Sequence, residues 1–545
     1  MKKTEAFKSA TLQQLPRPRA VRRENGIYYS PEDVATALVK WAVRSADDTI
    51  FDPSFGGCIF LRAGVTRLTR LGASNAASLV YGTDWDQEAW GDAVQLFNQG
   101  ADPRQFLQRD FLSVRPDEIC GPFQVVVGNP PYVRAHRLSE EALSTARASL
   151  PSHVQLSKRA SYWAYFVFHT LSFVAPGGRL ALILPGTFLR ADYASTIRSE
   201  LTRAFASLTI LALDEHLFPD AEEESVLVLA EQFGNGPGIV HIGNARRDGL
   251  VLDDNTKIRT RQLAHNEVSN NWARGLFDSE TLALCNELHS RFDALGSKAT
   301  IRIGVVTGRN DFFVVNDDIQ KKNKIEDSAL RPIIPKTAQL RSLWLTDSDM
   351  AKLPRLFVPP ATDLPRGAAR YIKYGEKIKV HEGYKCSQRS PWYVPLDTKP
   401  PDAFLSCMTG ETTRLVLNRT EAVCTNTILA VSFQSGFDDT RRTAYAVGTL
   451  STVAQLSAEL EGRVSGGGLL KLEPLDARRL IIPPVNLAEK DQIHLDTLCR
   501  AGRWNDARLF VDDRLLGLVI TQKELNLLTT ALDHARTRRR EYRNF

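Results

Sequence analysis

Cysteine is sparse and scattered. The 545-residue chain has seven, and no two form a Cys-x-x-Cys pair, which removes a zinc ribbon and a dithiol redox centre; no metal is expected. Long apolar runs are also missing. The longest, such as Leu180 to Leu184, are strand-length, so no segment reads as a membrane span. Met1-Lys2-Lys3 is followed by no apolar stretch, which removes a secretory signal. Dispersed thiols without a signal point to the reducing cytoplasm. No Gly-x-Gly-x-x-Gly occurs, which argues against a dinucleotide. Internal repeats and low-complexity tracts are lacking as well, so the chain is not a solenoid.

What is present is a folded chain with enough residues for two or three domains: 545 of them, 43% hydrophobic. The net charge of +6 permits a nucleic-acid partner without requiring one. The excess gathers at the ends. Lys2, Lys3, Lys8, Arg17, Arg19, Arg22 and Arg23 precede residue 24 against Glu5, and Arg536, Arg538, Arg539, Arg540 and Arg543 close the chain against Glu541. The C-terminal group reads as a solvated tail.

In the first half, short apolar runs alternate with amphipathic segments. Thr49 to Phe51, Ser78 to Tyr81, Gln124 to Val127 and Arg179 to Leu184 read as strands. Glu32 to Val43, Gln87 to Asn98, Tyr162 to Val174 and Tyr193 to Phe205 read as helices, the first capped by Ser30 with Pro31 in its first turn. The alternation predicts an α/β fold, a Rossmann-like, doubly wound and mostly parallel sheet. Gly234 to Gly238 reads as a linker or turn. Residues 1–240 are therefore assigned to a catalytic domain and 241–545 to a mixed α/β domain ending in a mainly helical segment from Leu487.

Ligands of such sheets bind beyond the C-terminal strand ends, where Asp52, Asp84 and Asn129 fall. Asn129-Pro130-Pro131-Tyr132 is the strongest signal. The Asn129 amide oxygen and the Pro130 carbonyl can accept both hydrogens of an exocyclic amine. That draws the nitrogen toward tetrahedral geometry and frees its lone pair. The prolines hold the carbonyl rigidly, and Tyr132 offers a flat face to a base. Asp52-Pro53-Ser54-Phe55-Gly56-Gly57 places an acid before a loop that a cofactor can approach closely. Asp84 is placed for ribose hydroxyls. Asp110 can accept from a purine amino group while Phe111 covers its face. For Asp84 and for Asp110-Phe111 a surface carboxylate or a core phenylalanine is the commoner explanation; only their order and spacing raise them.

Together these residues resemble the gamma class, or TaqI type, of N6-adenine DNA methyltransferases. Gly26-Ile27-Tyr28-Tyr29-Ser30-Pro31 is similar to the family's motif before the first strand, with Ser30 where threonine is usual. Asp52 to Gly57, Asp84, Asp110-Phe111 and Asn129 to Tyr132 follow in the family's order, and Pro176-Gly177-Gly178 and Phe218-Pro219 resemble later motifs. Cys58 stands where a third glycine is common and is expected to crowd the loop. The likeness covers about residues 24 to 235. Beyond it, Arg463 to Pro474 looks like a segment many such enzymes carry late in the recognition domain.

The resemblance implies S-adenosyl-L-methionine bound by Ser30, Asp52, Ser54, Gly56, Asp84, Asp110 and Phe111. It also implies Asn129, Pro130 and Tyr132 as the catalytic set, and a flipped adenine of double-stranded DNA stacked by Tyr132 and Phe218. No Pro-Cys dipeptide is present to serve a cytosine-C5 mechanism. The second domain is then a target-recognition domain, with Arg309, Lys336, Lys385 and Arg389 as candidate DNA contacts beside Arg341, Trp392 and Tyr393. The family implies a monomer and allows a separate cognate restriction endonuclease; no fused nuclease motif is found. Two rival readings stay open: a protein-glutamine or RNA amino-methyltransferase, and a non-catalytic DNA-binding subunit of a defence system. The long extension weighs against the first, and intact Asp52 and Asn129 to Tyr132 against the second.

Overall fold

The computed structural model describes residues 30–541, apart from 98–101, 134–136, 158–159, 214–216, 219–223, 248–249, 253–259, 264–270, 352 and 466–467. The basic N-terminal arm, Gly26 to Tyr29, Pro219 and Arg543 lie outside the described residues. The chain divides into two compact units, one up to Leu276 and one from Phe277.

In the first unit the elements run α1 (Glu32–Ala42), β1 (Ile50–Asp52), α2 (Ile59–Leu71), β2 (Val80–Asp84), α3 (Gln87–Phe97), β3 (Phe106–Gln108), β4 (Phe123–Gly128), α4 (Glu140–Ala148), α5 (Tyr162–Thr170), β5 (Val174–Pro185), α6 (Thr187–Arg190), α7 (Ala194–Ala204), β6 (Phe205–Leu213), β7 (Ser225–Phe233), β8 (Ile239–Ala245) and β9 (Thr260–Gln262). The nine strands form one sheet in the order β3-β2-β1-β4-β5-β7-β6-β8-β9. From β3 to β5 the neighbours are parallel; β7 runs antiparallel between β5 and β6. The doubly wound α/β expectation matches this.

Strand periodicity divides the core. Val126, Leu180, Leu182 and Leu184 point into one cluster with α5 and α7, whereas Val125, Val127, Ala181 and Ile183 point into the other with α1, α2 and α3. Alternate residues of β4 and β5 thus face opposite layers, as a sheet covered on both sides requires.

Two expectations need correction, and one open alternative is decided. The N-cap of α1 is Pro31, which makes no side-chain cap bond, so Ser30 lies one residue before the cap. Gly234 to Gly238 is a turn inside the first unit: a Cβ on Gly236 or Gly238 would meet the carbonyl oxygens of Arg203 and Phe205 at 2.0 and 2.2 Å. Backbone contact demands those glycines. Consequently the first unit does not end at 240. β8 and β9 extend its sheet, and the division falls at Leu276.

The second unit carries sheets of five, four and three strands and ends in helices Glu489–Arg500, Trp504–Leu515 and Gln522–Glu541. Its C-terminal arginines are not a solvated tail. Arg539 is 1% exposed. Its guanidinium grips Glu459 at 2.8 and 3.1 Å and donates to the carbonyls of Gly468 and Gly410 at 2.6 and 3.1 Å. Arg536 donates to Gln455 at 3.1 Å and Arg540 pairs with Glu411 at 2.7 Å. The last helix is thereby fastened to the hairpin Arg463–Ser465/Leu469–Lys471, the glycine-rich segment singled out in the sequence.

Candidate active site at the strand ends

The C-terminal ends of β1, β2 and β4 converge because two glycines let them. A Cβ on Gly82 would lie 2.5 Å from the Phe55 ring and 2.9 Å from the Asp52 carbonyl oxygen; one on Gly128 would lie 3.0 Å from Asp52 Oδ1. The loop after β1 is then tied to both neighbours. The Thr83 hydroxyl donates to the Pro53 carbonyl at 2.8 Å, and the Ser54 hydroxyl to the Asn129 carbonyl at 3.4 Å.

Two carboxylates organise that loop. Asp84 accepts from the Gly56 N–H at 2.8 Å and the Asp86 N–H at 2.9 Å. Asp52 accepts from the Ser54 N–H at 3.0 Å through Oδ1, while its buried Oδ2 has no hydrogen-bond partner. Burial pushes the Asp52 carboxyl up to about 8; the Ser54 N–H opposes the rise and the nearby Asp84 charge adds to it. The folded chain therefore holds a proton that the unfolded chain sheds near pH 4, and unliganded stability falls as pH rises from about 4 to 8. In thermal melts of the unliganded protein, Asp52→Asn is expected to flatten that decline and to melt above the wild type at pH 8. Parallel profiles for the two proteins would refute the assignment.

Gly56 has φ +44°, and a Cβ there would meet nothing within 4 Å, so the loop faces open space. Cys58 has φ 58° and ends the loop as the N-cap of α2. This left-handed backbone is why glycine suits the position. The thiol does not crowd the loop. It is buried in the core beneath it, its Sγ 3.8 Å from the Gly56 carbonyl.

Asp110 accepts from the Leu112 N–H at 3.1 Å and from the Tyr162 hydroxyl at 3.0 and 3.2 Å. Burial and the Asp110 charge hold the Tyr162 phenol well above its usual range, so it stays a donor. Tyr162 also bonds the Val133 carbonyl through its N–H at 2.8 Å, which links Asp110 to the Asn129–Tyr132 loop. Phe111 departs from expectation. Its ring is 2% exposed and packs among Phe51, Phe166, Phe173 and His169, so it is a core side chain rather than a cover over a ligand.

Asn129 is half-buried and Pro130 buried. The Tyr132 hydroxyl donates to the Ile183 carbonyl at 3.2 Å, which fixes the ring; Phe218 meets it edge-on at 6.3 Å and 78°. The structure thus brings Asp52, Ser54, Gly56, Asp84, Asn129 and Pro130 together, places Asp110 next to them through Tyr162, and sets Phe218 beside Tyr132.

Sequence reasoning missed Tyr162 and Trp85. Trp85 directly follows Asp84 and is 62% exposed. An indole left in solvent next to a strand-end acid marks it as a candidate.

In the second unit Arg309 pairs with Asp311 at 3.0 Å. Arg389 is half-buried, donates to the Val306 carbonyl and lies 5.8 Å from the Phe313 ring, so it fastens the loop before Arg309. Lys336 and Lys385 are exposed. Trp392 is half-buried and packs against Phe312, Phe313 and Tyr393 at the edge of a core cluster.

Comparisons with known proteins follow this division. Residues 17–271 match the family model described as N-6 DNA Methylase, and residues 269–516 match that of the type II methyltransferase M.Eco57I C-terminal domain. Relatives include the type II methyltransferase M.AccI of Acinetobacter calcoaceticus, 22% identical over 86% of this chain and 87% of the relative. M.PaeR7I of Pseudomonas aeruginosa is 24% identical over 80% of each. Among solved structures, the type IIL restriction-modification enzyme MmeI in complex with DNA matches 95% of this chain and 72% of its own with a TM-score of 0.53; at 11% identity this is a likeness of fold. The chain spans 65% of the type IIG restriction endonuclease BpuSI, at 15% identity and a TM-score of 0.42.

Proposed function

We propose, for a chain that is an S-adenosylmethionine-dependent N6-adenine DNA methyltransferase of the restriction-modification type, that it methylates an adenine turned out of a short duplex sequence and held at Asn129, Pro130 and Tyr132. The observation that carries this is Asn129-Pro130 at the end of β4, its backbone bonded to the loop of Asp52.

The site's chemistry suits the cofactor. The partnerless, buried Oδ2 of Asp52 and the open space above Gly56 leave an unsatisfied polar atom and room. Asp52 and the Ser54–Gly56 backbone would hold its amino-acid end, Asp84 its ribose, Asp110 its purine amino group and Trp85 the purine face. The cofactor supplies an electrophilic methyl group on a sulfonium. The chain's own part is to make N6 nucleophilic. Asn129 Oδ1 and the Pro130 carbonyl accept the two N6 hydrogens, so the lone pair leaves ring conjugation. Tyr132, anchored through its hydroxyl, offers its face to the extruded base and offsets part of the few kcal/mol of unstacking; Phe218 completes that wall. The second unit supplies target recognition. The enzyme acts in the cytoplasm as a monomer, with any cognate endonuclease on a separate chain.

The test is transfer of labelled methyl groups to unmethylated duplex DNA, with the product mapped by single-molecule sequencing. N6-methyladenine confined to one short motif supports the proposal. Cofactor binding without transfer to DNA would sink it and favour a protein-glutamine or RNA acceptor, or a non-catalytic subunit. Trp85→Ala is expected to raise KM for the cofactor about tenfold, since base–aromatic stacking contributes roughly 1–3 kcal/mol. Its kcat should stay within about twofold. An unchanged KM would remove Trp85 from the site.

A further inference from the structure

We propose that the exposed face of the helix Arg366–Lys377, in the second unit, lies along the phosphate backbone of the DNA duplex; this rests on the reading of DNA as substrate.

Arg366, Arg370, Lys373 and Lys377 follow one another at steps of four, three and four, which sets them in one line along a helix. The opposite face fixes the rotation. Tyr371 stacks on Phe312 at 4.5 Å and 3° and donates its hydroxyl to the Phe312 carbonyl at 2.8 Å. A Cβ on Gly375 would meet the Phe312 and Trp392 rings at 2.7 Å, and one on Gly367 would meet the Lys324 carbonyl oxygen at 1.8 Å. A helix pressed down this closely cannot turn its basic line inward.

All four cations are exposed, and among the described residues none forms an ion pair with a carboxylate. Other arginines of the same unit are paired, as in Arg309–Asp311, Arg355–Asp327, Arg419–Asp439 and Arg500–Asp349. Of the acids near the helix, Glu326 feels the Arg370 charge without forming an ion pair with it. Glu326 accepts from the Gly367 and Ala368 N–H groups at 2.8 and 3.0 Å, and Glu376 accepts from the Trp392 indole at 3.5 Å. Like charges three and four residues apart repel and weaken a helix. A run of four is therefore a cost to the unliganded unit that a polyanion would relieve. The line is about 16 Å long at 1.5 Å per residue. Duplex DNA presents one charge per roughly 1.7 Å of axis, ample to match it. Tyr374, 48% exposed on the same face, adds a hydroxyl of the kind that donates to phosphate. Such contacts set register and affinity; they do not read bases.

The test is the salt dependence of duplex binding by the full chain, measured by fluorescence anisotropy on a fixed oligonucleotide. The variant carries Arg366→Gln, Arg370→Gln, Lys373→Gln and Lys377→Gln together. Each phosphate contact contributes about 0.9 to the slope of log K against log salt, so the slope is expected to shrink by roughly 3 to 4. The affinity lost between about 50 and 200 mM salt then shrinks by roughly a hundredfold. The change should be the same on unrelated sequences, with the methylated motif unaltered. A charge-retaining variant, Arg366→Lys with Arg370→Lys, is expected to keep the wild-type slope. A glutamine variant that keeps the wild-type slope, while the wild type binds DNA, overturns the inference and leaves the face to another partner. A wild type that binds no duplex overturns the DNA reading itself.

Discussion

Replacing Asn129 with alanine is expected to lower the turnover of methyl transfer by roughly 10²–10³-fold and to leave cofactor affinity within about twofold. The asymmetry follows from where the residue sits. Its backbone carbonyl bonds the Ser54 hydroxyl, and Asn129→Ala retains that bond, so the loop of Asp52 and Asp84 stays in place. Only the side-chain amide is lost. That amide is one of two acceptors assigned to the amine hydrogens, and its effect is confined to the reacting nitrogen. Single-turnover transfer and calorimetric titration of the cofactor measure the two halves separately. With 2-aminopurine at the target position, base extrusion should persist in the variant, because Tyr132 is fixed independently through the Ile183 carbonyl. A variant that turns over within tenfold of the wild type would falsify the assignment of Asn129.

The largest effect on stability is expected at Arg539. Arg539→Met leaves Glu459, itself buried, without its ion-pair partner and with only the Arg536 charge nearby, and strips a donor from the Gly410 and Gly468 carbonyls. Breaking a buried pair from one side typically costs about 3–5 kcal/mol. Calorimetry should show the second unit melting well below its wild-type temperature. The double variant Arg539→Met with Glu459→Met should recover much of the loss, because two apolar side chains remove the stranded charge. If the single variant melts within about a degree of the wild type, the clasp has no such weight. Arg540→Gln, one residue on, breaks only an exposed pair with Glu411 and serves as the control, with an effect below about 1 kcal/mol.

The first unit was legible in the sequence because its signals are local. β-branched runs ending in Asp or Asn mark strands buried on both faces. The order of Asp52, Asp84, Asp110 and Asn129 then follows the order of strand ends. What stayed hidden depends on contacts distant in sequence. Phe111 carries the same letter as a ligand-covering ring, and only its packing against Phe51, Phe166 and Phe173 makes it core. Gly236 and Gly238 look like a linker until the carbonyls of Arg203 and Phe205 are seen pressing on them. Arg539 reads as a tail residue because Glu459 lies 80 residues away. The line from Arg366 to Lys377 could have been found by its spacing alone. It escaped notice because the surrounding segment mixes bases, aromatics and glycines without a hydrophobic period that announces a helix.

The clasp at Arg539 also bears on the order of maturation during synthesis. The sheet of the first unit is complete by Gln262, so that unit can condense while the ribosome is still extending the chain. The second cannot. Glu459 waits 80 residues for its cation, and the Gly410 carbonyl waits 129 for its donor. Closing such distant contacts is slow, and the unfinished strands remain open to wrong partners until the final turns emerge. A newly made chain therefore completes the sheet that carries Asp52, Asp84 and Asn129 before it closes the clasp of its second unit. On the proposed function, the site for the methyl donor is then complete before the surface assigned to the target.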